Sequence, residues 1–172
     1  HGFNLHAGFV DELHAHQNRD LVDVLTTSMG KSNRKQPFIV YITTADYDRP
    51  SICNEKYNFA DKVRKGVVAA PSVLPVIFEA GRDEDWTDER VWEKANPNLD
   101  ITVSREYLRT ECAKAKEIVA YQNTFRRLHL NQMTEAANRC IDIAKWDRCK
   151  SDIDVDALKG RDCFAGLDIG AT

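Results

Sequence analysis

Short apolar runs alternate with longer amphipathic stretches along this chain, and the alternation predicts an α/β fold. The run Gly8-Phe9-Val10 stops at two carboxylates, Asp11 and Glu12. Asp20 to Ser28 follows, with apolar residues at Leu21, Val22, Val24 and Leu25, which suits a short crossover helix. Phe38-Ile39-Val40-Tyr41-Ile42 is β-branched, aromatic and almost wholly apolar, with Pro37 before it. It predicts a central strand covered on both faces. Strand, helix, strand gives a parallel βαβ unit with both polar tips at the carboxyl edge, where such sheets bind ligands. A helix is expected from about Ile52 to Lys65, with Ile52, Tyr57, Phe59, Ala60 and Val63 as its apolar stripe. Leu74 to Glu79 reads as a third strand. Thr87 or Asp88 should cap a short helix carrying Val91 and Trp92, and Asn96-Pro97-Asn98 should end it. Ser104 should cap a long helix reaching about Val119, and Tyr121 to Leu130 reads as another. Cys163 to Ile169 closes the pattern as an apolar strand with Asp168 inside it.

Composition narrows the class. With 172 residues, 42% hydrophobic and 30% charged, the chain is globular rather than disordered. No apolar run approaches the roughly twenty residues of a membrane span. The sequence starts at His1 without a methionine, already leading into a strand, and stops at Thr172 just past another. The expectation is an internal piece of a longer protein. Cys53, Cys112, Cys140, Cys149 and Cys163 form no CxxC pair and are odd in number. Reduced cytosolic thiols are expected rather than a disulfide framework or zinc knuckle. His6, His14 and His16 lack a third ligand at a usual metal spacing, so they read as polar loop residues beside a site. The formal charge of −3 decides nothing about nucleic acid.

The candidate chemistry lies at the strand tips. Asp11 would hold a magnesium ion through its water shell, and Glu12 would polarise the water that attacks a γ-phosphate. Adjacent carboxylates on a strand point to opposite faces, so both reach one site only where the strand ends and the backbone turns. A solvated turn is the plain alternative for such a pair. The second strand ends in Thr43-Thr44-Ala45. In motor ATPases of the additional-strand class, a hydroxyl there sits beside the γ-phosphate and reports its loss to moving parts. Met29-Gly30-Lys31-Ser32 carries the ending of a P-loop but has Leu25 where the first glycine belongs, and it follows a helix instead of a strand. It reads as a basic turn, which leaves the true P-loop to be expected before His1. Between Ser104 and Thr134, Arg105, Arg109, Lys114, Lys116, Arg126 and Arg127 outnumber Glu106, Glu111 and Glu117. That excess would suit DNA phosphates or a solvated helix face with ion pairs. Asp168 reads either as a metal-binding carboxylate, as on the first strand of ribonuclease H-like nucleases, or as an exposed strand-end residue.

Taken in order, these blocks resemble the large terminase subunit of tailed bacteriophages. The matching stretches are Val10-Asp11-Glu12-Leu13-His14-Ala15-His16, Arg19-Asp20-Leu21-Val22-Asp23, Ile42-Thr43-Thr44-Ala45, Asp48-Arg49-Pro50-Ser51-Ile52-Cys53, Trp92-Glu93-Lys94-Ala95-Asn96-Pro97-Asn98-Leu99 and Asn123-Thr124-Phe125-Arg126-Arg127-Leu128-His129-Leu130-Asn131-Gln132. The resemblance implies an ATP-driven motor that threads double-stranded viral DNA into a procapsid, and a metal-dependent nuclease that cuts it. It implies an α/β fold with part of an additional-strand ATPase sheet over 1–85, a helical linker over 86–160 and the first strand of a ribonuclease H-like nuclease over 161–172. Asp11 looks like the Walker B magnesium residue, Glu12 like the catalytic glutamate, and Thr43, Thr44 and Ala45 like the coupling motif. Asp168 looks like the first metal-binding carboxylate of the nuclease. The implied cofactors are ATP with Mg²⁺ and two Mg²⁺ or Mn²⁺ ions in the nuclease. The implied partners are DNA, the small terminase subunit, the portal or procapsid, and further copies in a ring, in the bacterial host cytoplasm and with no membrane. The P-loop and the other nuclease carboxylates have no counterpart here, so this piece alone is expected to be inactive. A superfamily-2 DExH helicase or translocase also accounts for Asp11-Glu12-Leu13-His14, but gives no role to the blocks at Asn96 and Asn123.

Overall fold

A computed structural model of the chain describes residues 4–30, 35–135, 146–150, 156, 159–162 and 164. The chain divides into two compact units, His1–Cys140 and Ile141–Thr172. In the first unit the elements are β1 (Ala7–Val10), a 3-10 turn (Leu13–Ala15), α1 (Asp20–Ser28), β2 (Phe38–Tyr41), α2 (Ile52–Arg64), α3 (Glu89–Ala95), α4 (Arg105–Glu117) and α5 (Val119–Leu130).

β1 and β2 pair in parallel, Ala7 opposite Phe38 through Val10 opposite Tyr41, with α1 as the crossover. This is the expected βαβ unit. Its small core gathers Val10, Leu13, Val22, Ile52 and Cys53, with Leu25, Ile39 and Tyr41 packed against them. Two expectations fail here. β2 is not covered on both faces: Ile39 and Tyr41 face the core, while Phe38, Val40 and Ile42 are exposed. Leu74 to Glu79 forms no strand, because no neighbouring strand stands beside it among the described residues. Its backbone and side chains are tied down by other groups. Asn131 donates to the Phe78 carbonyl (3.0 Å), Ala80 N–H to Leu130 O (2.9 Å), and the Tyr57 hydroxyl to Glu79 Oε2 (2.6 Å). Leu74, Val76 and Phe78 stay exposed, so the strand-like alternation is present without its ladder.

The helical half begins at its caps. Asp88 accepts from Arg90 N–H (2.9 Å) and Ser104 from Tyr107 N–H (3.3 Å), satisfying donors that a helix start leaves orphaned. Ser51 does the same for α2, accepting from Asn54 N–H at 3.1 Å. Ile118 is extended (φ −109°, ψ 96°) and divides α4 from α5, and Asn131 ends α5 in the left-handed region (φ 48°, ψ 27°). α3, α4 and α5 enclose Val91, Trp92, Ala95, Leu108, Cys112, Ala115, Phe125 and Leu130. The Phe125 ring lies edge-on to Trp86 at 5.8 Å and to Trp92 at 6.2 Å. Such pairs add to the ~1.5–3 kcal/mol that burying a large apolar side chain contributes. His129 packs 5.3 Å from Phe125, and burial pushes its pKa down against the pull of Glu111. The Tyr121 hydroxyl, bonded to Glu111, is pushed up to about 12 by burial and then by that carboxylate.

Arg105 clasps the turn before α4 to α3. Its guanidinium reaches Asp100 (3.0 Å), Glu89 (3.2 Å) and Glu93 (2.9 Å). Asp100 holds a positive φ of 65° and also accepts Arg105 N–H at 2.9 Å. These groups face solvent, so they set geometry more than stability.

In the second unit, Cys149 N–H donates to Trp146 O at 2.9 Å in a short helical turn. Asp168 and the expected strand Cys163 to Ile169 lie outside the described residues, apart from Phe164. No helix among the described residues is long and apolar enough to cross a membrane.

Candidate functional site at the strand tips

The tips of β1 and β2 are laced together past their last paired residues. Ile42 N–H donates to Val10 O (2.9 Å), and Leu13 N–H donates to Ile42 O (3.3 Å). Asp11 and Glu12 are exposed, yet Leu13 is 1% exposed in the core below them. The chain must therefore double back within one residue. Glu12 takes that turn in the left-handed region (φ 51°, ψ 49°), which non-glycine residues enter seldom and at a cost. The expected reversal after the strand is thus present, and Glu12 itself makes it.

Each carboxylate has a defined setting. Asp11 Oδ1 accepts Glu12 N–H at 2.9 Å, leaving its other oxygen facing solvent. Glu12 Oε2 stands 3.1 Å from His14 Nδ1. The same nitrogen is 3.1 Å from Thr43 Oγ1 and 3.3 Å from Thr44 Oγ1. His14 N–H also donates to Thr43 Oγ1 at 3.1 Å, and the Thr43 hydroxyl donates to Thr44 O at 2.9 Å. Three of the five predicted positions, Glu12, Thr43 and Thr44, therefore meet around one imidazole, and Asp11 stands beside them, bonded to the Glu12 N–H. Asp168 is outside the described residues. Cys53 lies under this cluster, 3.8 Å from Thr43 Oγ1; burial pushes its thiol pKa up, and the Thr43 contact opposes that.

The loop after Ala45 is pinned from below. Asp46, 1% exposed, accepts both Tyr47 N–H (2.8 Å) and Arg49 Nε–H (3.2 Å). Asn54 on α2 donates to the carbonyls of Tyr47 (2.6 Å) and Arg49 (2.8 Å). Arg127 on α5 donates to Ala45 O (3.3 Å) and lies over the Tyr47 ring at 4.5 Å. Asp48 N–H donates to Thr134 O (2.8 Å), and Arg82 pairs with the Asp48 carboxylate (2.8 Å). The strand tip is thereby fastened to the helical half of the same unit. A polar cleft of about 470 Å³ beside it is lined by Arg19, Arg49, Ser51, Asn54 and Glu55, and does not reach the carboxylate pair.

Sequence reasoning missed several of these roles. His14 read as a loop residue beside the site, whereas it is the group on which the site converges. Gln132 is fully buried; it donates to Gly81 O (2.5 Å) and Glu84 O (3.1 Å) and accepts from Arg126 Nε–H (2.7 Å). The long block ending at Gln132 was the available signal, but sequence alone did not say why a polar side chain closes it. The basic excess is largely spent inside the unit. Arg105 and Arg109 pair with acids on α3, Lys114 lies over the Tyr121 ring (4.1 Å), and Arg126 and Arg127 serve the contacts above. Among the described residues, no group of three or more His, Cys, Asp or Glu is placed to hold a metal ion. Asp11 nevertheless suits an ion held through water, with one carboxylate oxygen fixed by the backbone and the other open.

Parallel strands with acidic and hydroxyl tips at one carboxyl edge, fastened to a helical subdomain, define an α/β protein with a polar carboxyl edge. The chain belongs to the terminase large-subunit family: residues 68–172 match the model for the terminase large subunit, endonuclease domain. It is 31% identical over 169 residues to Protein YmfN of Escherichia coli (strain K12), covering 98% of this chain and 37% of that protein. It is 26% identical over 152 residues to the terminase large subunit of Enterobacteria phage HK97, covering 88% of this chain and 28% of that protein. The crystal structure of the HK97 bacteriophage large terminase shares the fold, with a TM-score of 0.66 at 24% identity over 87% of this chain and 30% of the other. The chain thus spans about a third of the length of the relatives it matches.

Proposed function

We propose that this chain is part of a DNA-packaging enzyme that couples ATP hydrolysis to movement of double-stranded DNA and cuts that DNA with a metal-dependent nuclease. The observation that carries the ATPase reading is the convergence of Glu12, Thr43 and Thr44 on His14 at the carboxyl edge, within 3.3 Å of one nitrogen. Asp11 would hold Mg²⁺ through water, and that ion would screen the phosphate charge. Glu12 would orient and polarise the attacking water. Thr43 and Thr44, at the end of β2, would sense the departing phosphate and pass strain to the loop that Arg127 and Asn54 hold. The nuclease reading rests on the family match over 68–172 and on Asp168 as its first metal-binding carboxylate. The same reading assigns an ATPase part to 1–85, a linker to 86–160 and the nuclease start to 161–172. It also brings a small terminase subunit, a procapsid, a ring of copies and the bacterial host cytoplasm as the setting. The DExH helicase alternative draws no support from the family match.

Coupling is tested at the strand tip. In the full-length subunit that carries this segment, Thr44→Val is expected to lower DNA translocation at least about tenfold more than nucleotide affinity, since the shape stays and the hydroxyl goes. If Thr43 is the sensing side chain, Thr43→Val shows this loss instead. Normal translocation and DNA-stimulated hydrolysis in both variants would remove the coupling role. The nuclease arm is tested separately. Asp168→Asn is expected to abolish DNA cleavage and spare ATP hydrolysis, because two metal ions fixing the scissile phosphate need the carboxylate charge. Wild-type cleavage by that variant would overturn the assignment.

A further inference from the structure

We infer that Arg127 is a positioning residue, a releasable clip between α5 and the loop 45–49, and that its grip decides whether a shift of that loop reaches the helical half. The inference rests on the ATPase reading above and places this role on α5, away from the carboxyl edge. It starts from how loosely the guanidinium is held. Arg127 donates to Ala45 O at 3.3 Å and lies over the Tyr47 ring at 4.5 Å. The bond is longer than the ~2.7–3.2 Å of a good N–H···O contact. Its Nε is buried and has no hydrogen-bond partner among the described residues. A buried donor left unpaired costs free energy, so the contact is held at a small net gain. An arginine fork is best matched by carboxylates, and Arg105 on α4 reaches three of them.

The loop is firm on its other side. Asn54 of α2 donates to Tyr47 O at 2.6 Å and to Arg49 O at 2.8 Å. Asp46, 1% exposed, accepts Tyr47 N–H at 2.8 Å. The loop therefore travels with β2 and α2. Toward the helical half it has one firm main-chain tie: Asp48 N–H donates to Thr134 O at 2.8 Å, where Tyr47 and Thr134 form a parallel bridge. The pair between Arg82 and Asp48 is exposed on both sides, so solvent screens it. Thr134 is thus a pivot, and Arg127 is the clip beside it. With the clip closed, the loop and α5 move together. With it open, the loop turns about Thr134, while α5 stays packed through Phe125 against Trp86 and Trp92. Parting one long hydrogen bond and one ring contact is a small demand, so the joint can open and close in each round of hydrolysis.

The test uses the full-length subunit with double-stranded DNA. Arg127→Met keeps the reach of the side chain but removes the donor and the charge, and Arg127→Lys keeps both. Arg127→Met is expected to lower DNA moved per ATP at least about tenfold, with the KM for ATP changed less than about threefold. Its thermal midpoint should stay within about 3 °C of wild type, because the change also removes the orphaned Nε. Arg127→Lys is expected to restore most of the coupling. Tyr47→Leu takes away the ring under the guanidinium and should show the same loss as Arg127→Met. The double variant should be no worse than either single change, since both break one contact. Three results overturn the inference: wild-type DNA moved per ATP in Arg127→Met, a loss that Arg127→Lys does not recover, or losses that add in the double variant. A fall in midpoint or a rise in KM that alone explains the loss also overturns it, since that is the mark of a merely structural residue. Glu12→Gln is run beside them. If Glu12→Gln hydrolyses ATP normally, the ATPase reading itself fails. If Glu12→Gln is inactive and Arg127→Met is fully coupled, only the role of Arg127 fails.

Discussion

Glu12→Gln in the full-length subunit is expected to lower ATP turnover by about 10²–10⁴-fold, the range that loss of a general base produces. That corresponds to about 3–5 kcal/mol of transition-state stabilisation. Nucleotide affinity should change little, because the amide keeps the size of the side chain and Asp11 is untouched. The backbone should also be unaffected. Glu12 holds its left-handed turn because Leu13 must return to the core, and glutamine meets the same requirement at the same cost. The carbonyl of the glutamine can still accept from His14, so the resting arrangement at 3.1 Å survives while the charge is lost. A single-turnover assay with a parallel nucleotide-binding measurement separates chemistry from binding. Turnover within threefold of wild type would mean that Asp11 and Glu12 are a solvated turn after all.

Phe125→Ala should cost about 3–5 kcal/mol of folding stability, a large share of the 5–15 kcal/mol that holds a typical domain together. Phe125 is 0% exposed and sits where α5 meets α3, against Trp86, Trp92 and His129. Removing it leaves a cavity that three rings cannot close by small rotations. The readout is urea unfolding followed by tryptophan fluorescence, which reports on this core because both indoles touch the deleted ring. Phe125→Leu preserves most of the volume and should cost clearly less, so a poorly folding alanine variant still leaves a measurable point. A loss below about 1 kcal/mol for the alanine variant would contradict the core described above. Because α5 also presents Arg127 to the Ala45 carbonyl, loosening Phe125 should disturb the β2 tip from a distance.

The local elements follow from local chemistry. The helix starts at Asp88 and Ser104 were legible because a short polar side chain before an amphipathic run has one good use, which is to accept an orphaned backbone N–H. The parallel pair β1 and β2 was legible because two apolar runs separated by a helical stripe leave few other arrangements. The carboxylate pair and the two threonines could be named for the same reason, since strand tips are where such sheets put polar groups.

What the sequence could not supply depended on partners distant in the chain. Leu74 to Glu79 has the alternation of a strand, but a strand exists only through a neighbour's hydrogen bonds, and none of the described residues provides them. The cover on both faces of β2 failed for the same reason: the apolar run states a capacity for burial, and packing decides how much of it is used. The basic residues between Ser104 and Thr134 suited either DNA phosphates or ion pairs on a helix face until the fold set Arg105 and Arg109 against the acids of α3. His14 shows the division most clearly. By itself the sequence determined that an imidazole follows the carboxylate pair by two residues, and that two hydroxyls end a strand some thirty positions later. Only the tertiary structure decided that they meet, because the parallel register and the turn at Glu12 bring Thr43 and Thr44 to within 3.3 Å of the same nitrogen.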